Sequence, residues 1–434
     1  MRSWALRAGL ILALAMPATA RARLMGAYDY PFVSALVATV AATPPANQAS
    51  LPTNAQIDAV GETRYLRVFP DRKIPDVFWY YDRGLPYGVY KQPNRRAPLF
   101  FVIGGTGAGY DASKSRILIR ALYQAGYHVV SIANPTHPSF IVTAAAEGVP
   151  GRLGADAADL YRVMRLIDRD LRRELDITGY SVAGYSLGGA HAAYVSLLDE
   201  KEKAFGFRKA LVINPPVSLY NSVRRLDAMF DRHLRRDPAS VNAFVDRIFE
   251  QVIALYDVRA RIDFTDDTFL YRSYTVLEPP ERDLELLIGL AFRFTSNDMA
   301  FASDVMTNAG YIVPKNAHLT ATTSLTDIFL QGMGLNFVDY FDDVYLPFMR
   351  ERHPELTRDD LIQAAGLHAI EGYLRTSPRV VMLGTQDDII LAPGEAAWLE
   401  SVFGERARIF PTGGHCGAMD QRDFVAAMYE LLAR

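Results

Sequence analysis

Cysteine is nearly absent from this 434-residue chain: Cys416 stands alone. No intramolecular disulfide can form, so a packed core must stabilise the fold, and no cysteine lies near the N-terminus to carry a lipid. Clustered positive charge is missing too. The formal net charge is −3 and no Lys/Arg block stands out, which removes the electrostatic footprint of a nucleic-acid binder. Long apolar runs are equally scarce. The stretch from Phe32 to Ala42 comes nearest, well short of the roughly 20 residues needed to cross a bilayer, and reads as a buried or surface-covering segment. There is no internal repeat, no Gly-Lys-Ser/Thr phosphate loop, and no Cys/His cluster to hold zinc, so neither metal nor organic cofactor is expected.

What is present is apolar bulk. Half of the residues are apolar and 22% are charged, enough for a large core in one domain with an insertion, or in two domains. At the N-terminus, Arg2 and Arg7 precede an apolar run from Ala8 to Met16, followed by Pro17 and Ala18-Thr19-Ala20. That order predicts a secretory signal over residues 1–22, a mature chain starting near Arg21 or Arg23, and export to the periplasm or beyond.

From residue 97 short apolar runs alternate with longer amphipathic ones, the rhythm of a mostly parallel sheet with helices on both faces. Strands are predicted at 99–105, 128–134, 176–185 and 210–216, and helices at 115–127, 156–175 and 187–203. The rhythm stops after Pro216, gives way to aromatic-rich helical segments such as 244–258 and 283–294, and resumes at Arg379 with strands at 379–385 and 406–412 and a helix running to the end. The expected organisation is an N-terminal extension (23–96) with antiparallel edge strands at 63–70 and 77–82, a core (97–216), a helical insertion (217–375) and the rest of the core (376–434).

Gly-Tyr-Ser occurs twice between residues 179 and 189, at Ser181 and Ser186. A nucleophilic serine on a tight strand-to-helix turn needs small residues two before and two after it. Gly184 and Gly188 supply both for Ser186, and only Ser186 leads into a sustained helical pattern, whereas Ser181 lies within the strand. A serine hydroxyl needs a histidine base, and the histidine needs a carboxylate to fix its tautomer. Of eight histidines only His415 falls between the last strand and the last helix. Asp387 and Asp388 both follow the strand at 379–385, while the strand ending in Asn214-Pro215-Pro216 offers no acid.

Gly-Tyr-Ser-Leu-Gly-Gly on a strand-turn-helix, G-x-x-D-x-I after the penultimate strand and Gly-Gly-His after the last together resemble the α/β-hydrolase superfamily over residues 97–216 and 379–434. The resemblance implies an α/β-hydrolase fold with a large helical lid insertion. In its pattern the acid is Asp387, with Asp388 as the alternative. It also implies oxyanion donors at the backbone amides of Leu187 and Thr106, the latter in the Gly104-Gly105-Thr106-Gly107 loop, where Gly104 replaces the histidine common in the family. A dinucleotide site in that loop is disfavoured: Tyr110 stands at the third glycine position, and the next strand ends in Asn134 rather than an acid. The function implied is an exported serine hydrolase of a small-molecule or lipid ester with a hydrophobic acyl group. Thioesterase, peptidase and acyltransferase chemistry share the same acyl-enzyme, and a non-catalytic ligand-binding protein on the same fold is the alternative from another class.

Overall fold

The computed structural model describes residues 23–433 apart from 27, 236, 238, 248, 249 and 251–268; the expected signal segment 1–22 and part of the expected helical stretch 244–258 lie outside the described residues. Within them, nine strands form one sheet: β1 (Arg23–Leu24), β2 (Gly61–Leu66), β3 (Leu85–Tyr90), β4 (Arg96–Ile103), β5 (His128–Ile132), β6 (Asp176–Tyr185), β7 (Ala210–Ile213), β8 (Val380–Thr385) and β9 (Ala407–Phe410). Their order is β1-β9-β8-β7-β6-β4-β5-β3-β2. Neighbours from β5 through β4 to β9 are parallel, and β2 and β3 join as an antiparallel hairpin at one edge. This is the strand order of the α/β-hydrolase fold.

The parallel strands are short and apolar because both of their faces are covered. In β4, Leu99, Phe101 and Ile103 enter one core with the helices Leu153–Leu171 and Leu187–Glu202. Phe100 and Val102, pointing the opposite way, enter a second core with the helices Ser113–Gln124 and Arg422–Ala433. The period-2 alternation thus feeds two layers at once.

Between β7 and β8 the described residues carry helices and no strand. The longest is Glu281–Thr307, which packs against Leu219–Asp231. A third core, containing Phe337, Tyr340, Phe341 and Tyr345, forms between this helical region and Phe78, Ile141 and Val142.

The N-terminal part departs from expectation. The predicted edge strand at 77–82 is a 3-10 helix, Asp76–Tyr81. Val77 and Phe78 are buried while Trp79 and Tyr80 are exposed, a pairing by twos that a strand's strict alternation cannot produce. The strand that pairs with β2 is Leu85–Tyr90, where Pro86 and Gly88 masked the signal.

Candidate active site

The turn after β6 is built by exclusion. Ser186 holds φ 53° and ψ −130°, a strained conformation for a residue with a side chain, and caps the helix Leu187–Glu202. A Cβ on Gly184 would strike the Gly188 carbonyl, and one on Gly188 would strike the carbonyls of Gly104 and Ile103. Only glycine lets strand, turn and the Gly104–Gly107 loop close on one another. Ser181 lies in β6 with its backbone paired to Phe100, away from the turn.

His415 Nε2 lies 2.9 Å from Ser186 Oγ. Its Nδ1 lies 2.9 Å from Asp388 Oδ1 and 3.1 Å from Oδ2, so the histidine's partner is Asp388 and not Asp387. The expectation is thereby corrected by one residue. Asp387 turns to the backbone instead, accepting from the amides of Gly413 (3.1 Å) and Gly414 (2.9 Å). Sheet pairing runs one residue beyond β8, through the Gln386 amide to the Phe410 carbonyl, and the two carboxylates after it point in different directions. Asp388 is itself held by Asn214 Nδ2 at 2.8 Å and the Ile390 amide at 3.1 Å. Burial works to lower the His415 pKa, but the Asp388 carboxylate overrides it and the net direction is upward.

The loop that carries His415 is clamped from the N-terminal extension. Thr39, on the helix Ala35–Ala41 within the apolar stretch from Phe32, accepts the His415 amide at 2.9 Å. Tyr28 donates to the Thr412 carbonyl at 2.5 Å and Thr43 to the Gly417 carbonyl at 3.0 Å.

Opposite Ser186, the amides of Leu187 and Thr106 have no hydrogen-bond acceptor among the described residues. Leu187 is the first residue of its helix, where an amide has no intrahelical partner and the helix dipole favours negative charge. The Gly104–Gly107 loop is fixed from below by Asn134, which closes the apolar strand β5. Its Nδ2 donates to the Gly104 carbonyl at 2.7 Å, and its Oδ1 accepts from Thr136 Oγ1 at 2.7 Å. Thr136 Oγ1 in turn accepts the Gly107 amide at 2.8 Å. Asn134 Nδ2 also lies 3.3 Å from Nδ1 of the fully buried His191, whose Nε2 is 3.4 Å from Asp156 Oδ2. Sequence reasoning assigned roles to none of Asn134, Thr136, His191 and Asn214. The one signal available was an amide side chain just past the end of a buried strand, which Asn134 and Asn214 share.

Two cavities flank this loop. An apolar one of about 50 Å³ is lined by Thr106 and Leu187 and, from the helical region, by residues including Val223, Met299, Phe337 and Tyr340. A larger one of about 280 Å³ is lined by Gly107, Thr136, the Asp76–Tyr81 turn and the helix Glu281–Thr307. Among the described residues no group of His, Cys, Asp and Glu side chains is arranged to hold a metal, and no helix is long and apolar enough to cross a membrane.

No known family matches the sequence, and no curated protein matches it. Among solved structures the chain is similar to a meta-cleavage product hydrolase from Pseudomonas fluorescens, with 12% identity, 80% of this chain and 94% of that one covered, and a TM-score of 0.42. It is similar also to a hyperthermophilic esterase from the archaeon Pyrobaculum calidifontis (15% identity, 88% and 84% covered, TM-score 0.39). A thioesterase domain from the curacin biosynthetic pathway gives 13% identity, 86% and 99% coverage and a TM-score of 0.37. Likeness this distant carries no weight for function. Strand order and side-chain geometry do.

Proposed function

We propose that this protein is a serine hydrolase that cleaves a carboxylic ester through an acyl-enzyme on Ser186. The observation that carries the reading is the unbroken hydrogen-bonded line Ser186–His415–Asp388 on a strained strand-to-helix turn. Ser186 Oγ attacks the ester carbonyl as its proton passes to His415 Nε2, and Asp388 stabilises the imidazolium. The tetrahedral oxygen accepts from the amides of Leu187 and Thr106, which stand ready without another acceptor. His415 then protonates the departing alkoxide. Water attacks the acyl-serine with His415 as base, and the acid leaves with Ser186 restored.

The acyl half faces the apolar cavity, whose lining supports a hydrophobic group and whose size of about 50 Å³ supports a short one. The helices between β7 and β8 act as the lid over Ser186. No metal or organic cofactor takes part. Export rests on the N-terminal layout of charge, apolar run and small residues, and N-terminal sequencing of the mature protein tests it. A fluorophosphonate probe tests the chemistry. Labelling that disappears in Ser186→Ala supports the acyl-enzyme; a folded, unlabelled protein supports the ligand-binding alternative instead.

A further inference from the structure

The larger cavity, of about 280 Å³, borders the same loop on its Gly107 and Thr136 side, and Thr136 lines both cavities. With the acyl group in the apolar cavity, this one is left for the other half of the substrate. Its walls carry aromatic rings from three separate segments: Phe78, Tyr80 and Tyr81 from the 3-10 turn, Phe301 from the long helix, and Phe329 from the helix Thr326–Gly332. Among its lining residues one carboxylate is present, Asp298, and no Lys or Arg. Asp298 has no ion-pair or hydrogen-bond partner among the described residues. The residue is solvent-exposed, yet partial desolvation of the carboxyl raises its pKa, with no cation to pull it back. Its charge reaches Tyr80 and Tyr81, whose hydroxyls, already raised by burial, are raised further by it. His137, also in the lining, is held neutral because burial pushes its pKa down to about 4. An unpaired carboxylate among aromatic rings, with no competing positive charge, is complementary to an organic cation.

We infer that this cavity is a leaving-group subsite for an organic ammonium group, so that the substrate joins a short apolar acyl group to an amino-alcohol or amine-bearing half. The inference rests on the acyl-enzyme reading for its place in the reaction, but not for binding. Calorimetry on the full chain carrying Ser186→Ala compares choline, ethanolamine and the neutral isostere of choline, 3,3-dimethylbutan-1-ol. Both cations should bind at least about tenfold more tightly than the neutral alcohol, and Asp298→Asn should remove most of that margin. Choline ahead of ethanolamine assigns a quaternary ammonium held by the rings; the reverse order assigns a primary amine held by the carboxylate. On the active chain, the ratio of kcat/KM for acetylcholine to that for 3,3-dimethylbutyl acetate should exceed about ten and fall toward one in Asp298→Asn. Equal binding of cation and neutral alcohol, or discrimination that survives Asp298→Asn, overturns the subsite. A protein that cleaves neutral esters without favouring cations loses this inference alone, whereas one that binds cations but is not labelled by fluorophosphonate loses only the acyl-enzyme reading.

Discussion

Two strand ends carry the outer members of the Ser186–His415–Asp388 line, and they are held by different physics. At the end of β6, Ser186 is held by close backbone packing: a Cβ at Gly184 or Gly188 would strike the backbone opposite. At the end of β8, Asp388 is fixed by hydrogen bonds from His415, Asn214 and the Ile390 amide. A steric requirement is written in residue type, because only glycine meets it. A hydrogen-bonding requirement is met by any carboxylate that arrives in the right direction. Two adjacent aspartates therefore read alike until the backbone is seen.

The sharpest break of this comparison replaces the two aspartates one at a time. Asp388→Asn should lower kcat on a soluble ester by about 10⁴-fold, by favouring the wrong histidine tautomer, while Asp387→Asn should cost far less. Equal losses from the two would show that the acid end does not discriminate between its carboxylates. The pH profile supplies a second reading. His415 must be neutral to act as base, so activity is present above its pKa and lost as pH falls through it. Because Asp388 raises that pKa, the acid limb of kcat/KM should lie above the ordinary histidine value of about 6.5, and Asp388→Asn should move it downward.

Gly188→Ala tests the steric end without touching a reacting atom. The added methyl meets two backbone carbonyl oxygens, of Ile103 at the end of β4 and of Gly104 in the neighbouring loop, so a loss of about 4 kcal/mol in unfolding free energy is expected, measured by denaturant titration. A loss below about 1 kcal/mol would mean that the turn is not sterically locked.

Smaller still is the effect expected at Asn134, which sets the oxyanion loop by hydrogen bonds alone. Asn134→Ala should reduce kcat by about 10²-fold with little change in KM, since donors displaced from the developing charge fail mainly in the transition state. A rise in KM with kcat intact would make Asn134 a binding residue instead.

Much of this was legible beforehand for reasons the structure makes concrete. Strands β4, β7 and β8 were readable because each holds a continuous apolar run, which burial on two faces demands, and β6 and Ser186 because of the glycines. The β2–β3 hairpin was half missed, since Pro86 and Gly88 break the strand pattern of β3; Pro86 is accommodated because pairing with β5 runs only from Tyr87 to Tyr90. Asn134, His191 and Asp156 are far apart in sequence, and no local pattern announces that they meet. The helical region after β7 declared its composition but not the size of the cavity it closes.

That size gives the smallest predicted effect. Along a p-nitrophenyl ester series, each added methylene should raise kcat/KM by roughly fourfold, corresponding to about 0.8 kcal/mol of buried surface, until the cavity is full. With about 50 Å³ available the rise should stop after a few carbons. A rise that continues to long chains would mean that the helices part to admit them.

The clamp on the His415 loop has a consequence in time. Tyr28, Thr39 and Thr43 precede every other part of the site in the chain, and the loop they hold, from Thr412 to Gly417, follows every other part, so the two are made at opposite ends of the site's synthesis. Ser186 can take its turn while the C-terminal residues are still being made, yet it has no base until the two ends of the described chain meet. The hydrogen-bonded line from Ser186 to Asp388 is thus completed only after the loop of His415 has been made.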